Sequence, residues 1–339
     1  SGTTSRPKRV PLAHRNLAVS VGNVAETYQL TSEDVSLCVM PLFHVHGLVA
    51  STLATLFTGG TVVVPPRFNA LNFWQVAEAH GATWYSAVPS IHQTLLSRAK
   101  SREAGRPGQG SQMRFIRSCS SALSSATMLE MEEQFGVPVL EAYGMTEAAH
   151  QMASNPLPEG KRLPGSVGVG TGVEIAIMDE GGTLQPVGAR GEVVIKGPNV
   201  IKGYEDNPEA NATSFTDGWF RTGDEGILDS EGYLSLVGRL KELINRSGEK
   251  IAPLEIDEVL LAHPAVAEAV AFGVPHPTHG EEPSAAVVLS SEATQAELVA
   301  HCRAHLAGFK CPRVIHIVDA IPRTATGKVQ RRVVAEVFA

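Results

Sequence analysis

Residues 114–143 read RFIRSCSSALSSATMLEMEEQFGVPVLEAY, and the order of patterns inside them decides the fold class. RFIRS (114–118) is strand-like. SATMLEMEEQF (125–135) follows as a helix whose Met128, Leu129, Met131 and Phe135 can face one core. VPVLEAY (137–143) returns to a strand pattern. Strand, helix, strand in so short a span is the unit of a parallel sheet with helices on its faces. The alternation extends upstream. TVVVP (61–65) reads as a buried strand, LNFWQVAEAHG (71–81) as a short helix stopped by glycine, ATWYSAVP (82–89) as a strand, and residues 90–100 as a helix. SREAGRPGQGSQ (101–112) carries charge, Gly and Pro with almost no apolar content and reads as an exposed loop.

Downstream the texture changes. Within 165–237 the short strands VEIAIMD, GEVVIKG and GYLSLVG lie between Gly and Asp turns. After Gly238 a third pattern begins. LEIDEVLLAHP (254–264) is an amphipathic helix offering Leu254, Val259, Leu260 and Leu261 to a core, followed by two strands, the helix TQAELVAHCRAHLAGF, the strand VIHIVD and the helix VQRRVVAEVF. The expected architecture is α/β. Residues 1–240 form a large domain, with a parallel-sheet part over about 1–164 and a β-rich part over about 165–240; a small α+β domain covers 241–339. The boundary falls within GRLKELIN, 238–245.

Composition bounds the partners. Of 339 residues, 28 are Lys or Arg and 35 Asp or Glu, a net charge of −7 too mildly acidic to suggest a nucleic-acid or anionic-membrane partner. No apolar run approaches the ~20 residues of a membrane helix. Cys38, Cys119, Cys302 and Cys311 form no CxxC or CxxH pair, which argues against a zinc site or a disulfide framework and fits a reducing compartment. The chain opens on Ser1 without a signal peptide and reads as a piece of something longer. Cytoplasm is the default location. Val337-Phe338-Ala339 is no peroxisomal signal, but the peroxisome stays open because the chain need not end there. Oligomeric state is not legible.

Five motifs carry chemistry. Ser1-Gly2-Thr3-Thr4-Ser5-Arg6-Pro7-Lys8 packs hydroxyls, a glycine and cations that can wrap a polyphosphate, although it does not fit GxxxxGK[ST] and alone is as readily an ordinary Ser/Thr loop. Tyr143-Gly144-Met145-Thr146-Glu147 follows a strand, where parallel sheets present ligand-binding loops. Arg221-Thr222-Gly223-Asp224, Gly238-Arg239-Leu240-Lys241-Glu242 and Pro322-Arg323-Thr324-Ala325-Thr326-Gly327-Lys328 complete the set. Each has a bland reading as a turn or a solvated charge run. Their order is harder to dismiss.

In this order the motifs resemble those of the acyl-adenylate-forming superfamily: acyl-CoA synthetases, luciferases and peptide-synthetase adenylation domains. The likeness runs from Ser1 to about Val333. Within that family PLFHVHGL (41–48), RFIRSCSSAL (114–123), MTEAAHQMASNP (145–156) and GRLKELINRSGEKIAP (238–253) look like the oxalate-activating CoA ligases of plants and fungi. Two departures stand out. Family members carry an N-terminal subdomain upstream of the phosphate loop, whose packing face here should be an exposed apolar patch. Their loop also ends in Lys-Gly, where this chain has Lys8-Arg9.

The resemblance implies a ligase that joins a carboxylic acid to coenzyme A, using ATP and Mg²⁺ and passing through an acyl-adenylate. It places Ser1, Gly2, Thr3, Thr4 and Lys8 on the β- and γ-phosphates and Glu141, Ala142 and Tyr143 in the nucleotide site, with Tyr143 against the adenine. Thr146 would bond the α-phosphate and Glu147 hold Mg²⁺. Asp224 and Arg239 would reach the ribose. Lys328 would bridge the attacking carboxylate and the α-phosphate, Lys241 act as the hinge of a mobile lid domain, and Gly248, within Ser247-Gly248-Glu249, pass the pantetheine of coenzyme A. The acyl pocket would offer His44, Ser120 and His150. Two imidazoles and a hydroxyl suit a short acid with a second carboxylate, because leaving such groups unpaired in a fatty-acyl tunnel costs about 1–3 kcal/mol. Oxalate is the simplest such acid. His46 reads instead as a satisfied core histidine, and Arg117 as a ligand or as half of a structural ion pair. The rival readings are another short-chain, fatty or aryl acid–CoA ligase, and a non-catalytic nucleotide-binding fragment.

Overall fold

The computed structural model describes residues 8–100, 112–323 and 329–338. The readings at Ser1, Gly2, Thr3 and Thr4, most of the 101–112 loop, and Lys328 lie outside the described residues. The chain forms two compact units that divide in sequence between Leu236 and Val237, with Ser124–Ala126 and Gly223–Glu225 belonging to the second.

The first unit is built on a seven-stranded sheet. Its strands are β1 (Val35–Cys38), β2 (Thr61–Val63), β3 (Trp84–Ala87), β4 (Phe115–Ser118), β5 (Val139–Met145), β6 (His150–Ser154) and β7 (Val169–Gly170), in the order β2-β1-β3-β4-β5-β6-β7. β1 to β5 run parallel, while β5–β6 and β6–β7 are antiparallel. The helices are α1 (His14–Thr27), α2 (Ala54–Phe57), α3 (Phe73–Ala79), α4 (Pro89–Lys100) and α5 (Ser125–Phe135). Side chains alternate across a strand, so neighbouring residues feed opposite faces. Tyr85, Ile116 and Val139 join one core with Phe73, Leu95 and Met131 of α3, α4 and α5; their neighbours Trp84, Phe115 and Leu140 join another with Val21 and Val24 of α1. A parallel sheet covered on both faces needs apolar runs rather than alternation, which is why these strands are legible as short apolar runs.

Two local readings change. β2 is the edge strand, exposed at Thr61 and half-buried at Val62 and Val63, so TVVVP is not a buried strand. On α5 Met128, Met131 and Phe135 are buried at i, i+3 and i+7, but Leu129 lies 100° around the helix and is 55% exposed. After Pro41 the chain turns into a π-helical stretch, His46–Leu53. Large apolar side chains stand exposed on this part of the chain, among them Phe43, Phe57 and Leu71.

A second sheet follows along the chain. Its strands β8 (Glu174–Met178), β9 (Arg190–Lys196), β10 (Phe215–Thr216), β11 (Trp219–Leu228) and β12 (Leu234–Arg239) take the order β10-β11-β9-β8, with β12 on β11; α6 (Pro208–Ser214) precedes β10. Ile177, Val193, Ile195 and Phe220 from this sheet share a core with Tyr143, Ala148 and Met152, which fixes the segment after β5 against it.

The second unit has its own sheet and two cores. Strands β13 (Ile244–Arg246), β14 (Glu249–Ile251), β15 (Val266–His276), β16 (Gly280–Leu289) and β17 (Val314–Ile317) take the order β14-β13-β16-β15, with β17 parallel to β16. On one face α7 (Pro253–Leu261) and α8 (Gln295–His305) contribute Ile256, Leu260, Leu298 and Cys302; on the other α9 (Arg331–Phe338) sets Val334 against Val270 and Phe272. Ile256 rather than Leu254 takes the inward place on α7. Among the described residues, no helix is long and apolar enough to cross a membrane, and the four cysteines are buried and free.

Candidate active site

β5 delivers the first group of candidate residues. Glu141 and Ala142 are buried within it, and Glu141 Oε1 accepts from the Leu123 amide at 2.9 Å, tying the loop after β4 to β5. Tyr143 is also buried. Gly144 is required by packing: a Cβ there would lie 2.0 Å from the His150 carbonyl oxygen, where β5 and β6 meet across a bulge. The chain then makes a single 3₁₀ turn, Thr146–Ala148, and leaves it through Ala149 and His150 at φ 50° and 116°. Positive φ on non-glycine residues costs of order 1–3 kcal/mol and persists where surrounding structure enforces it.

That turn half-buries Thr146 and buries Glu147 to 3% exposure. The Tyr204 hydroxyl donates to Glu147 Oε1 at 2.9 Å, while Oε2 has no hydrogen-bond partner among the described residues. Burial pushes the Tyr204 phenol up, and the adjacent Glu147 charge pushes it further. Lys8 Nζ stands over the Tyr204 ring, 4.4 Å from its centroid. A buried carboxylate oxygen with no donor is costly unless a cation takes it. Mg²⁺ suits such a place, because it typically uses one or two carboxylates and completes its shell with phosphate and water oxygens. Among the described residues no group of three or more His, Cys, Asp and Glu could form an all-protein cage. The single acid at Glu147 fits a metal that arrives with a phosphate ligand.

A second cluster gathers around His46. Its ring is fully buried, with Nδ1 3.1 Å from Ser120 Oγ and Nε2 2.6 Å from Ser86 Oγ. It stacks on His150, centroids 5.3 Å apart. Ser120 is half-buried and sits at φ 77°. The structure therefore joins Ser120 and His150 through His46. His44 is half-buried and uses its Nδ1 to accept from the His46 amide at 3.1 Å. Arg117 forms no ion pair among the described residues. Its guanidinium, fully buried, donates to Tyr28 OH at 2.7 Å, Ser86 Oγ at 3.0 Å and Gln151 Oε1 at 3.0 Å. Sequence reasoning missed Ser86 and Tyr204 altogether; each sits in an unremarkable strand or loop, and only tertiary contact picks it out. Arg9, the departure in the phosphate loop, is exposed and points Nη1 toward Glu205 and Asp206 at 3.7 and 3.9 Å.

In the second unit Asp224 is buried and Arg239 Nε lies 3.1 Å from its Oδ1. Lys241 is exposed on the 3₁₀ turn Leu240–Glu242. Ser247 and Gly248 are the two-residue tip of the β13–β14 hairpin at φ 54° and 91°, the positive values that such tight hairpins demand. Ser247 Oγ is 2.9 Å from His279 Nδ1.

Comparison with known proteins adds a family. Residues 1–205 match the AMP-binding enzymes and residues 255–328 the AMP-binding enzyme C-terminal domain. The chain is 53% identical to an oxalate–CoA ligase of Arabidopsis thaliana and 52% identical to one of Saccharomyces cerevisiae, in each case over its whole length. It spans 66% and 62% of those proteins, just under two thirds. The crystal structure of ATP-bound MatB from Rhodopseudomonas palustris superposes with a TM-score of 0.92 at 35% identity, covering 100% of this chain and 67% of that one. With the parallel sheet, the turn that buries Glu147 and the small second unit in place, the chain belongs to the AMP-binding enzyme family.

Proposed function

We propose that the protein activates a short dicarboxylic acid, oxalate foremost, and transfers it to coenzyme A. One carboxylate oxygen attacks the α-phosphorus of ATP, the bond to pyrophosphate breaks, and an acyl-adenylate forms. The thiolate of coenzyme A then attacks the acyl carbon and AMP leaves. The observation that carries the choice of acid is the polar cluster of His46, Ser120 and His150. A hydrocarbon tail offers no acceptor to the Ser120 hydroxyl or the His150 ring beside it, whereas a second carboxylate can accept from them, with His46 holding Ser120 in place. Likeness to two oxalate–CoA ligases supports the same choice.

In this reading Glu147 Oε2 would hold Mg²⁺, which when bound would screen the phosphate charge. Thr146 donates to the α-phosphate, Tyr143 packs on the adenine, and Glu141 and Ala142 shape that wall. Asp224 accepts from the ribose hydroxyls with Arg239 beside it, and Lys8 pairs with the outer phosphates. Lys328 offsets the repulsion between the two anions during adenylation, which is electrostatic stabilisation of the kind that dominates such transfers. Lys241 and Gly248 serve, by the family resemblance, the hinge and the pantetheine path of a lid spanning 241–339.

A panel of acids assayed by pyrophosphate release tests the reading. Oxalate should surpass acetate, medium-chain and aryl acids. Ser120→Ala or His150→Ala should raise the KM for oxalate roughly 10- to 100-fold, the worth of one charge-assisted hydrogen bond, and leave the KM for ATP within about threefold. Preference for a medium-chain acid would sink the dicarboxylate assignment.

A further inference from the structure

The buried arginine is the least ordinary group in the first unit. Arg117 is wholly buried and meets no carboxylate among the described residues; it donates to the neutral acceptors Tyr28, Ser86 and Gln151, and the Cys119 thiol also lies against it. A charge held this way must be retained for something other than an ion pair, since burying an uncompensated cation opposes folding.

The guanidinium imposes a direction on its hydrogen bonds. It only donates, so Ser86 Oγ accepts from Nη1. Ser86 is itself fully buried, and besides Arg117 its hydroxyl meets only His46 Nε2, at 2.6 Å, among the described residues. Were Nε2 to carry the ring proton, Ser86 would accept twice and its own hydrogen would be buried without an acceptor, an arrangement folded proteins avoid. The satisfied arrangement has Ser86 donating to Nε2. The imidazole proton is then on Nδ1 and donates across 3.1 Å to Ser120 Oγ. Ser120 accepts there and keeps its own hydrogen for another partner.

We propose that Arg117 is a positioning residue which sets the direction of the chain Arg117 to Ser86 to His46 to Ser120, so that the Ser120 hydroxyl is a donor to the acid's carboxylate. The proposal deepens the acid-site reading above and rests on it for the identity of the acceptor. The other arms of Arg117 brace the same place. Nε holds Tyr28 OH, whose hydroxyl donates at 3.1 Å to Gln151 Oε1, and Nη2 donates to that same oxygen, so the residue following His150 is fixed by two donors.

The test separates direction from mere packing. In the ¹⁵N-histidine-labelled chain, with the His46 signal assigned by its loss in His46→Gln, long-range ¹H–¹⁵N correlation reports which ring nitrogen bears hydrogen. A proton on Nδ1 is the expected result; a ring protonated on Nε2 alone overturns the proposal. Arg117→Met should shift His46 toward a mixture of tautomers and raise the KM for oxalate roughly 10- to 100-fold with the KM for ATP within about threefold, and Arg117→Lys should recover part of that loss. A Met variant that merely melts earlier, with the His46 tautomer and the oxalate KM intact, would also overturn it. If Arg117→Met does not fold, Ser86→Ala breaks the same link and carries the same expectations. An Nδ1 proton in a chain that does not use oxalate would leave the hydrogen-bond direction standing and refute the acid assignment instead.

Discussion

At Glu147 one carboxylate oxygen is spoken for by a phenol and the other has no hydrogen-bond partner among the described residues. Glu147→Gln removes the charge but keeps the shape, so the Tyr204 ionisation, raised by burial and then by Glu147, should move down toward the ordinary phenol range. A spectrophotometric titration at the tyrosinate band reads this without any assay of activity, and an unmoved Tyr204 would argue that burial acts alone. The same variant should weaken the Mg²⁺ dependence of pyrophosphate release at least tenfold. Gly144 gives a second residue-scale prediction. Because its Cβ would overlap the His150 carbonyl, Gly144→Ala must push β6 away, at about 1–3 kcal/mol by analogy with overpacked cores. Urea unfolding measures that cost, and a neutral outcome would mean the bulge relaxes freely.

At the scale of elements, the second unit is pinned by one arginine. Arg331 at the start of α9 bonds Asp257 of α7, donates to the Ala271 carbonyl of β15 at 2.8 Å, and approaches Glu242 at 3.3 Å. Asp257 in turn accepts from the Ala271 amide at 2.6 Å. Burial pushes the Asp257 carboxyl up and Arg331 opposes it. Removing one partner strands the other, so Arg331→Met should cost about 3–5 kcal/mol, measurable as a loss in the urea midpoint of the second unit. By contrast Thr294 caps α8 in an exposed capping box with Glu297, and Thr294→Ala should cost only about 1 kcal/mol. Equal losses from the two variants would contradict the view that burial rather than bond count sets the energy.

At the scale of the molecule, acid should act first on the unit that holds the parallel sheet. Burial pushes the fully buried His92 imidazole down from 6.5 to about 4. The unfolded chain therefore binds a proton between about pH 6.5 and 4 that the folded chain does not. The stabilisation is complete above the unfolded value and is lost as pH falls toward 4, to a limit of roughly 3 kcal/mol. All three tryptophans, Trp74, Trp84 and Trp219, lie in the first unit, so their fluorescence follows its unfolding. The urea midpoint by fluorescence should fall between pH 7 and 4.5, and His92→Gln should flatten that limb. A midpoint flat with pH in the unmodified chain would dispose of the prediction.

What the sequence by itself determined was local. Apolar runs, helix periodicity and turn residues mark β3, β4, α5 and β5 because each pattern is completed within one element. The five motifs carry the family for the same reason, being contiguous. Leu129 and the edge strand β2 were misplaced because neither pattern states what lies opposite. Only the tertiary structure decided which histidine meets Ser120, and where Arg117 spends its donors. His46 reaches Ser86 40 residues away and Ser120 74 away, while Arg117 reaches Tyr28 across 89. Those partners meet because β3 and β4 are neighbours in a sheet whose strand order differs from chain order and because the chain after Pro41 turns into a π-helix instead of extending. Hydrogen bonds act over about 3 Å, and no spacing along the chain encodes a separation that folding alone creates.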